Sequence, residues 1–197
     1  MNAALEILDR LDRELWLVTA QAADRRGGLI ATFVTSASIV PEMPRVLVGL
    51  ARQHHTWGLV EESGALALHL LGEEHLDWVW RFGLRSGRDG DKFAGLAVET
   101  TPAGSPLLVD ALAWLDCKVE ARLETGDRTL YLAEVVGGAN TKAGRVLTLR
   151  RAVSLAPASR RQELKEGLQR DAAIDAQAIH AWRAQRQASC SEPGGST

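Results

Sequence analysis

Short β-rich runs punctuated by turn residues constrain this chain more than any other feature. Residues 15–20 (Leu-Trp-Leu-Val-Thr-Ala), 29–35 (Leu-Ile-Ala-Thr-Phe-Val-Thr), 45–50 and 65–71 are apolar and β-branched or leucine-rich, and further strand-like runs follow at 96–100, 112–124, 128–137 and 145–154. Between them stand Ala23-Asp24-Arg25-Arg26-Gly27-Gly28, read as a turn with paired glycines, then Pro41-Glu42-Met43-Pro44 and Gly126-Asp127. Residues 15–35 therefore read as a hairpin. The prolines forbid a continuous helix or a central strand through 41–44. Only short helices interrupt the series: 3–14, with Leu5, Leu8 and Leu11 at helical spacing, 56–63, stopped by Gly64, and 73–83, carrying Trp78, Trp80 and Phe82. Many strands with few helices make a mainly β fold. An antiparallel barrel is the expected form, because closure removes exposed sheet edges.

Residues 158–187 break the pattern. Charged residues, glutamine and alanine dominate, and Leu164, Leu168, Ile174, Ala178, Ile179 and Trp182 recur near helical period. A C-terminal helix is expected, with an interruption near Asp171. The organisation reads as a barrel domain over 1–155, a helical extension over 156–190 and a disordered tail over 191–197.

Composition narrows the function. The 197 residues are 46% apolar, enough for a sizeable core. With 23 basic and 25 acidic residues the net charge is -2, and no global positive field would draw nucleic acid. No uncharged apolar run approaches a membrane span and no leader-like run opens the chain, so a cytoplasmic protein is expected. Cys117 and Cys190 are too few for a disulfide framework or an unaided zinc site. Cys117, inside the run Ala113 to Val119, reads as a buried structural thiol, and Cys190 as exposed.

Three segments carry the candidate chemistry. In Ala31 to Pro41, hydroxyls at Thr32, Thr35, Ser36 and Ser38 crowd a strand end and its turn. Small polar residues there leave backbone amides within reach of a heteroaromatic edge or a phosphate, and a plain Ser/Thr-rich turn is the alternative. In Ala51-Arg52-Gln53-His54-His55-Thr56, a strand leads into a helix with Thr56 as the expected N-cap. Helix N-termini offer free amides and positive partial charge to a phosphate, and Arg52 adds a guanidinium fork. The adjacent histidines point apart and have no acidic or thiol neighbours, which disfavours a metal. In Phe82 to Phe93, a charged loop is bounded by aromatics that either close over a ligand or anchor the core.

No G-x-S-x-G, G-x-G-x-x-G or P-loop pattern is present, and no nucleophile–base set emerges. Chemistry borne by a bound cofactor fits that absence best. Taken together, in this order and spacing, the segments resemble the flavin reductase-like family of FMN-binding split barrels. The resemblance runs through Thr35-Ser36-Ala37-Ser38-Ile39-Val40-Pro41 and Pro44 to Leu50, with the family's second proline displaced to Pro44. It continues through Arg52 to Thr56, Ala65 to Leu71, Phe82, Asp91-Lys92-Phe93 and Gly104-Ser105-Pro106-Leu107-Leu108. It ends with Leu115-Asp116-Cys117-Lys118-Val119, Gly126-Asp127-Arg128 and Val135-Val136. It covers about residues 12–150, and is silent about 155–197.

The resemblance implies a Greek-key split barrel, a bound FMN (or FAD), and hydride transfer from NADH or NADPH to the flavin. It implies that Thr32 and Phe33 lie along the flavin ring, that Thr35, Ser36, Ala37 and Ser38 meet its polar edge, and that Arg52, Gln53, His55 and Thr56 hold the phosphate. Phe82, Ser86, Lys92 and Phe93 would belong to a closing loop. A homodimer is implied too, and a flavin-consuming partner enzyme is a further candidate. Arg128 stands where many of these reductases carry a histidine on the nicotinamide side. The alternatives are an FMN-dependent oxidoreductase or electron carrier with another substrate, and a non-catalytic flavin- or haem-binding module.

Overall fold

The computed structural model describes residues 3–8, 10–85 and 90–191. In chain order it contains α1 (Ala3–Leu8), β1 (Trp16–Ala22), β2 (Arg25–Ala31), β3 (Val34–Ser36), β4 (Arg45–Ala51), α2 (His55–Ser63) and β5 (Ala65–Leu70). A single 3-10 turn (Glu73–His75) leads into α3 (Leu76–Gly83), followed by β6 (Val98–Thr100), β7 (Pro106–Leu108), β8 (Ala113–Glu124), β9 (Arg128–Asn140), α4 (Leu149–Leu155) and α5 (Ala158–Ser191).

Seven strands form one antiparallel sheet in the order β2-β1-β5-β8-β9-β4-β3. Its two end strands, β2 and β3, are joined by Thr32 and Phe33 alone. That link reaches roughly 10 Å, whereas a flat sheet of this width would separate its ends by roughly 29 Å. The sheet must therefore curl on itself, and it forms the half-closed barrel expected from the sequence. Register shifts between Asp116 and Cys117 and between Val119 and Ala121 bend the long β8–β9 ribbon, as bulges do.

Alternation sends side chains to two cores. Val18, Ala20, Val48, Leu50, Leu66, Leu68, Cys117, Tyr131 and Ala133 pack inside the curl with Leu59 and Val60 of α2. Leu15, Leu17, Leu71, Leu108 and Leu147 pack outside it against Val79, Trp80 and Phe82 of α3. Burial pushes the Cys117 thiol up to about 12, so it is an inert structural group, as expected. His69 sits in this second layer with no exposed surface. Its Nδ1 meets the Leu17 carbonyl at 3.0 Å, and its Nε2 accepts the Leu108 amide at 3.0 Å, which fixes a neutral ring. Burial drives its pKa down to about 4. Thr19 donates to the Pro106 carbonyl, so two buried polar side chains pin β7 to the sheet.

Several expectations are corrected. The hairpin turn is Ala23-Asp24, and Gly27 and Gly28 lie inside β2. They are needed for close packing: a Cβ on Gly27 would fall 2.9 Å from Leu59 Cδ1, and one on Gly28 2.8 Å from the Phe82 ring. The run 29–35 is split, with Thr32 and Phe33 outside both strands. Residues 145–154 are not a strand. Val146 and Thr148 make only isolated bridges, after which Thr148 caps α4 by accepting from the Arg151 amide. Glu73 then clamps Arg151 through both carboxylate oxygens, at 2.9 and 3.0 Å, and ties α4 to the turn before α3. The first helix ends at Leu8, short of the expected residue 14. α5 runs unbroken past Asp171, and residues 192–197 of the expected tail lie outside the described residues.

Candidate functional site

β4 is the spine of the site. Along it, Ser36 pairs with Val46 and Val34 with Val48, the Gly49 amide donates to the Phe33 carbonyl at 2.8 Å, and Ala51 pairs with Arg128 of β9. From Val46 to Arg52 this row spans roughly 20 Å at about 3.3 Å per residue. The Ser/Thr segment, Phe33 and the opening of α2 thus lie in one line. That order suits an elongated ligand with a flat ring at one end and an anion at the other.

At the ring end, Thr35, Ser36 and Ala37 are exposed on the end strand of the sheet and just beyond it. Ser36 donates to the Ser38 carbonyl at 3.1 Å, and Ser38 Oγ accepts the Val40 amide at 3.0 Å, which folds the turn back. Thr32 is half-buried, and Phe33 is 46% exposed. The guanidinium of Arg128 lies 4.7 Å from the Phe33 ring centroid, and that of Arg13 lies 5.3 Å from it.

At the anion end, α2 begins at His55, with extended His54 as its N-cap and no side-chain cap bond. Thr56 is therefore inside the first turn, a correction to the expected cap. Its side chain is needed elsewhere, packed against Gly27 in the barrel wall. In that first turn the Trp57 amide donates to the His54 carbonyl at 3.1 Å, and the helix start adds a positive partial charge. Gln53 stands just before it: both atoms of its carboxamide are buried, with no hydrogen-bond partner among the described residues. A buried amide without partners costs stability, which makes Gln53 a candidate ligand contact. Arg52 lies over the Trp57 ring and 3.5 Å from Glu124. His54 is held below the ordinary imidazole range by burial, with Asp171, Lys92, Asp175 and Arg128 all close enough to act on it.

The third segment is stapled onto β2, residue by residue. Asp91 receives Arg26 at 2.7 Å and the Phe93 amide at 3.0 Å, and the Arg26 bond holds its carboxyl below the usual range. Lys92, only 9% exposed, donates to the carbonyls of Gly28 at 3.0 Å and Phe82 at 2.9 Å. Phe93 meets Phe82 edge-on at 5.2 Å in the second core. The two aromatics anchor the loop from beneath, and the Lys92 ammonium lies 5.9 Å from the Phe82 ring centroid. Ser86 lies outside the described residues.

Sequence reasoning missed part of this set. In sequence Arg26, Gly27 and Gly28 have the composition of a turn, whereas in the fold the glycine pair allows the close approach of Thr56 and Phe82. Asp171, Asp175 and Trp182 come from α5. Arg128 Nη2 donates to Asp175 Oδ2 and its Nε to Asp127 Oδ2, both at 2.7 Å, and Trp182 packs against Gly126. Only the helical period of α5 was visible in sequence, and period does not tell which turn of the barrel a helix touches.

A family model described as the flavin reductase like domain matches residues 8–153. The chain belongs to the flavin reductase-like family. Among its relatives, the ferric-chelate reductase (NAD(P)H) of Archaeoglobus fulgidus is 30% identical over 146 residues, 73% of this chain and 85% of that one. The reductase subunit HsaB of a flavin-dependent monooxygenase from Rhodococcus jostii is 35% identical over 99 residues, 50% of this chain and 49% of that one. Several cyanobacterial diflavin flavoproteins also match, and the chain spans only about a quarter of their length (24% of one from Synechocystis). The solved flavin reductase domain protein of Arthrobacter superposes with a TM-score of 0.67 at 26% identity, covering 76% of this chain and 90% of that one. The family match stops where α5 begins to matter: Asp171, Asp175 and Trp182 all lie beyond residue 153.

Proposed function

We propose that this chain is an FMN-binding oxidoreductase that passes hydride from NADH or NADPH to flavin. The observation that carries the reading is the Gln53 carboxamide, buried without a partner at the uncapped mouth of α2. The residues fit a phosphorylated flavin. Arg52, Gln53 and His55, with Thr56 through its backbone amide, would hold the phosphate. Thr32 and Phe33 would lie along the ring, and Thr35, Ser36, Ala37 and Ser38 would meet its polar edge. When bound, the flavin supplies the capacity to accept and donate hydride. The chain's own work is binding and orientation. The loop Asp91-Lys92-Phe93 holds Gly28 of β2 in place, and Lys92 brings a fixed positive charge towards the mouth. His54, neutral in its buried setting, offers a hydrogen bond without adding charge.

Two finer elements belong to the same reading. Ile39 (99% exposed), Met43 (62%), Leu123 (58%) and Phe33 (46%) leave apolar surface around the ring end, which supports a homodimer formed over that face. The monooxygenase subunit among the relatives supports a flavin-consuming partner enzyme. The test of activity is anaerobic oxidation of NADH and of NADPH by the full-length protein with FMN, FAD or riboflavin. Stoichiometric flavin bleaching with at least one nicotinamide is expected. A flavin that binds but is bleached by neither would leave electron transfer with another donor.

A further inference from the structure

α5 is built unlike a core helix. It is polar nearly all round, with Leu168 67% and Ile174 51% exposed, and its surface is laced by pairs such as Arg160–Glu163. Leu164 joins the second core near one end. Further along, Asp175, Ala178 and Trp182 come down on the β8–β9 turn, where a Cβ on Gly126 would meet Trp182 Cβ at 2.7 Å and the Ala178 carbonyl at 3.0 Å. Most of its residues are exposed, so lifting it from the barrel uncovers little buried surface.

What it covers is the cationic mouth. Arg128 is the register partner of Ala51, and the Arg52 amide donates to the Asp127 carbonyl at 3.0 Å, so the turn bearing Arg128 is fastened to the phosphate-facing segment. The Arg128 side chain is 24% exposed and that of Asp175 15%, so their contact is largely shielded from water. Asp171 and Asp175 both act on His54. Two carboxylates from a helix beyond the family's matched region thus stand among the cations that would receive a ligand's phosphate.

We propose that α5 is a built-in competitor for phosphate: Asp175 occupies Arg128 as a nucleotide phosphate would, and the helix segment around it lifts away when the nucleotide binds. Carboxylate and phosphate both take a guanidinium through charge-assisted bonds, which makes the exchange one anion for another. The inference rests on the nucleotide-binding reading above. The phosphate has two sources, the flavin's own and that of the nicotinamide dinucleotide.

The test compares the full-length wild type with Asp175→Asn. Binding of FMN and of riboflavin is followed by flavin fluorescence, KM is measured for NADH and NADPH, and amide hydrogen exchange is measured across residues 171–182. Tighter FMN binding by about three- to tenfold, with riboflavin unchanged, identifies the flavin phosphate. Unchanged FMN binding with a KM for dinucleotide lowered by a similar factor identifies the reductant. In either case the wild type should exchange faster across 171–182 once the responsible nucleotide is bound. Equal or weaker binding of every ligand by the variant, or undiminished protection of 171–182 at saturation, overturns the proposal and leaves the flavin reading standing. Failure of both proteins to bind FMN overturns the flavin reading and the competitor with it.

Discussion

Two buried polar side chains of the barrel, His69 and Thr19, contrast with Gln53 at the α2 mouth. Inside the barrel, His69 and Thr19 have no exposed surface, and both are paired with backbone groups. At the mouth, Gln53 is buried and unpaired, while His54, Lys92, Arg128, Asp171 and Asp175 crowd together. The first arrangement minimises the energy of the chain alone. The second leaves polar capacity unspent, as the proposed binding role requires. Asp116 Oδ1, fully buried in β8, is also unpaired, so the contrast belongs to these particular side chains.

The sharpest way to break that contrast is His69→Leu, which would leave the Leu17 carbonyl and Leu108 amide without their partner. A loss of about 3 kcal/mol is expected in urea unfolding at pH 7. The wild type also carries a pH signature. The folded pKa of His69, about 4, lies below its ordinary value of 6.5, so the unfolded chain binds the extra proton between these values. Stability linked to His69 is full above about pH 6.5 and falls as pH drops towards 4, by roughly 3 kcal/mol in total. The gap between wild type and variant should narrow correspondingly at pH 4.5, and an unchanged gap would contradict the assignment.

Gly28→Ala comes next. Its methyl would meet the Phe82 ring at 2.8–2.9 Å, in a wall also fixed by Lys92. Overpacking should cost about 2 kcal/mol, visible as a lower urea midpoint with unchanged m-value. Gln53→Leu should go the other way. Removing an unpaired buried amide is expected to raise stability by about 1 kcal/mol while weakening FMN binding. Loss of stability in this variant would show that Gln53 is scaffold after all. At the small end, Arg25→Ala removes a pair with Glu62 whose side chains are about half exposed, and about 0.3 kcal/mol or less should be lost.

Most of the barrel was legible in sequence because its strands are short apolar runs bounded by turn residues, and Gly64 ends α2 through a local rule. The exceptions have local causes as well. Residues 145–154 are as apolar as a strand, but Thr148 can cap and Ala152 and Ala156 can be buried only as a helix turns. Gly27 and Gly28 looked like a turn because glycine permits turns, and nothing in one sequence reveals that Thr56 and Phe82 will lie against them. Of the candidate site, the contiguous motifs could be singled out from sequence: the Ser/Thr run, Arg52 to Thr56, and Asp91-Lys92-Phe93. The Arg128–Asp175 pair was not, since its members are joined only by the path of a long helix over the barrel.

Equilibrium titration of the full-length protein with FMN and, separately, with riboflavin tests most directly whether the α2 mouth is a phosphate seat. FMN should bind at least about tenfold more tightly than riboflavin, because only FMN brings an anion to the positive end of α2, Arg52 and Gln53. Equal affinities, or no binding of FMN, would contradict the account.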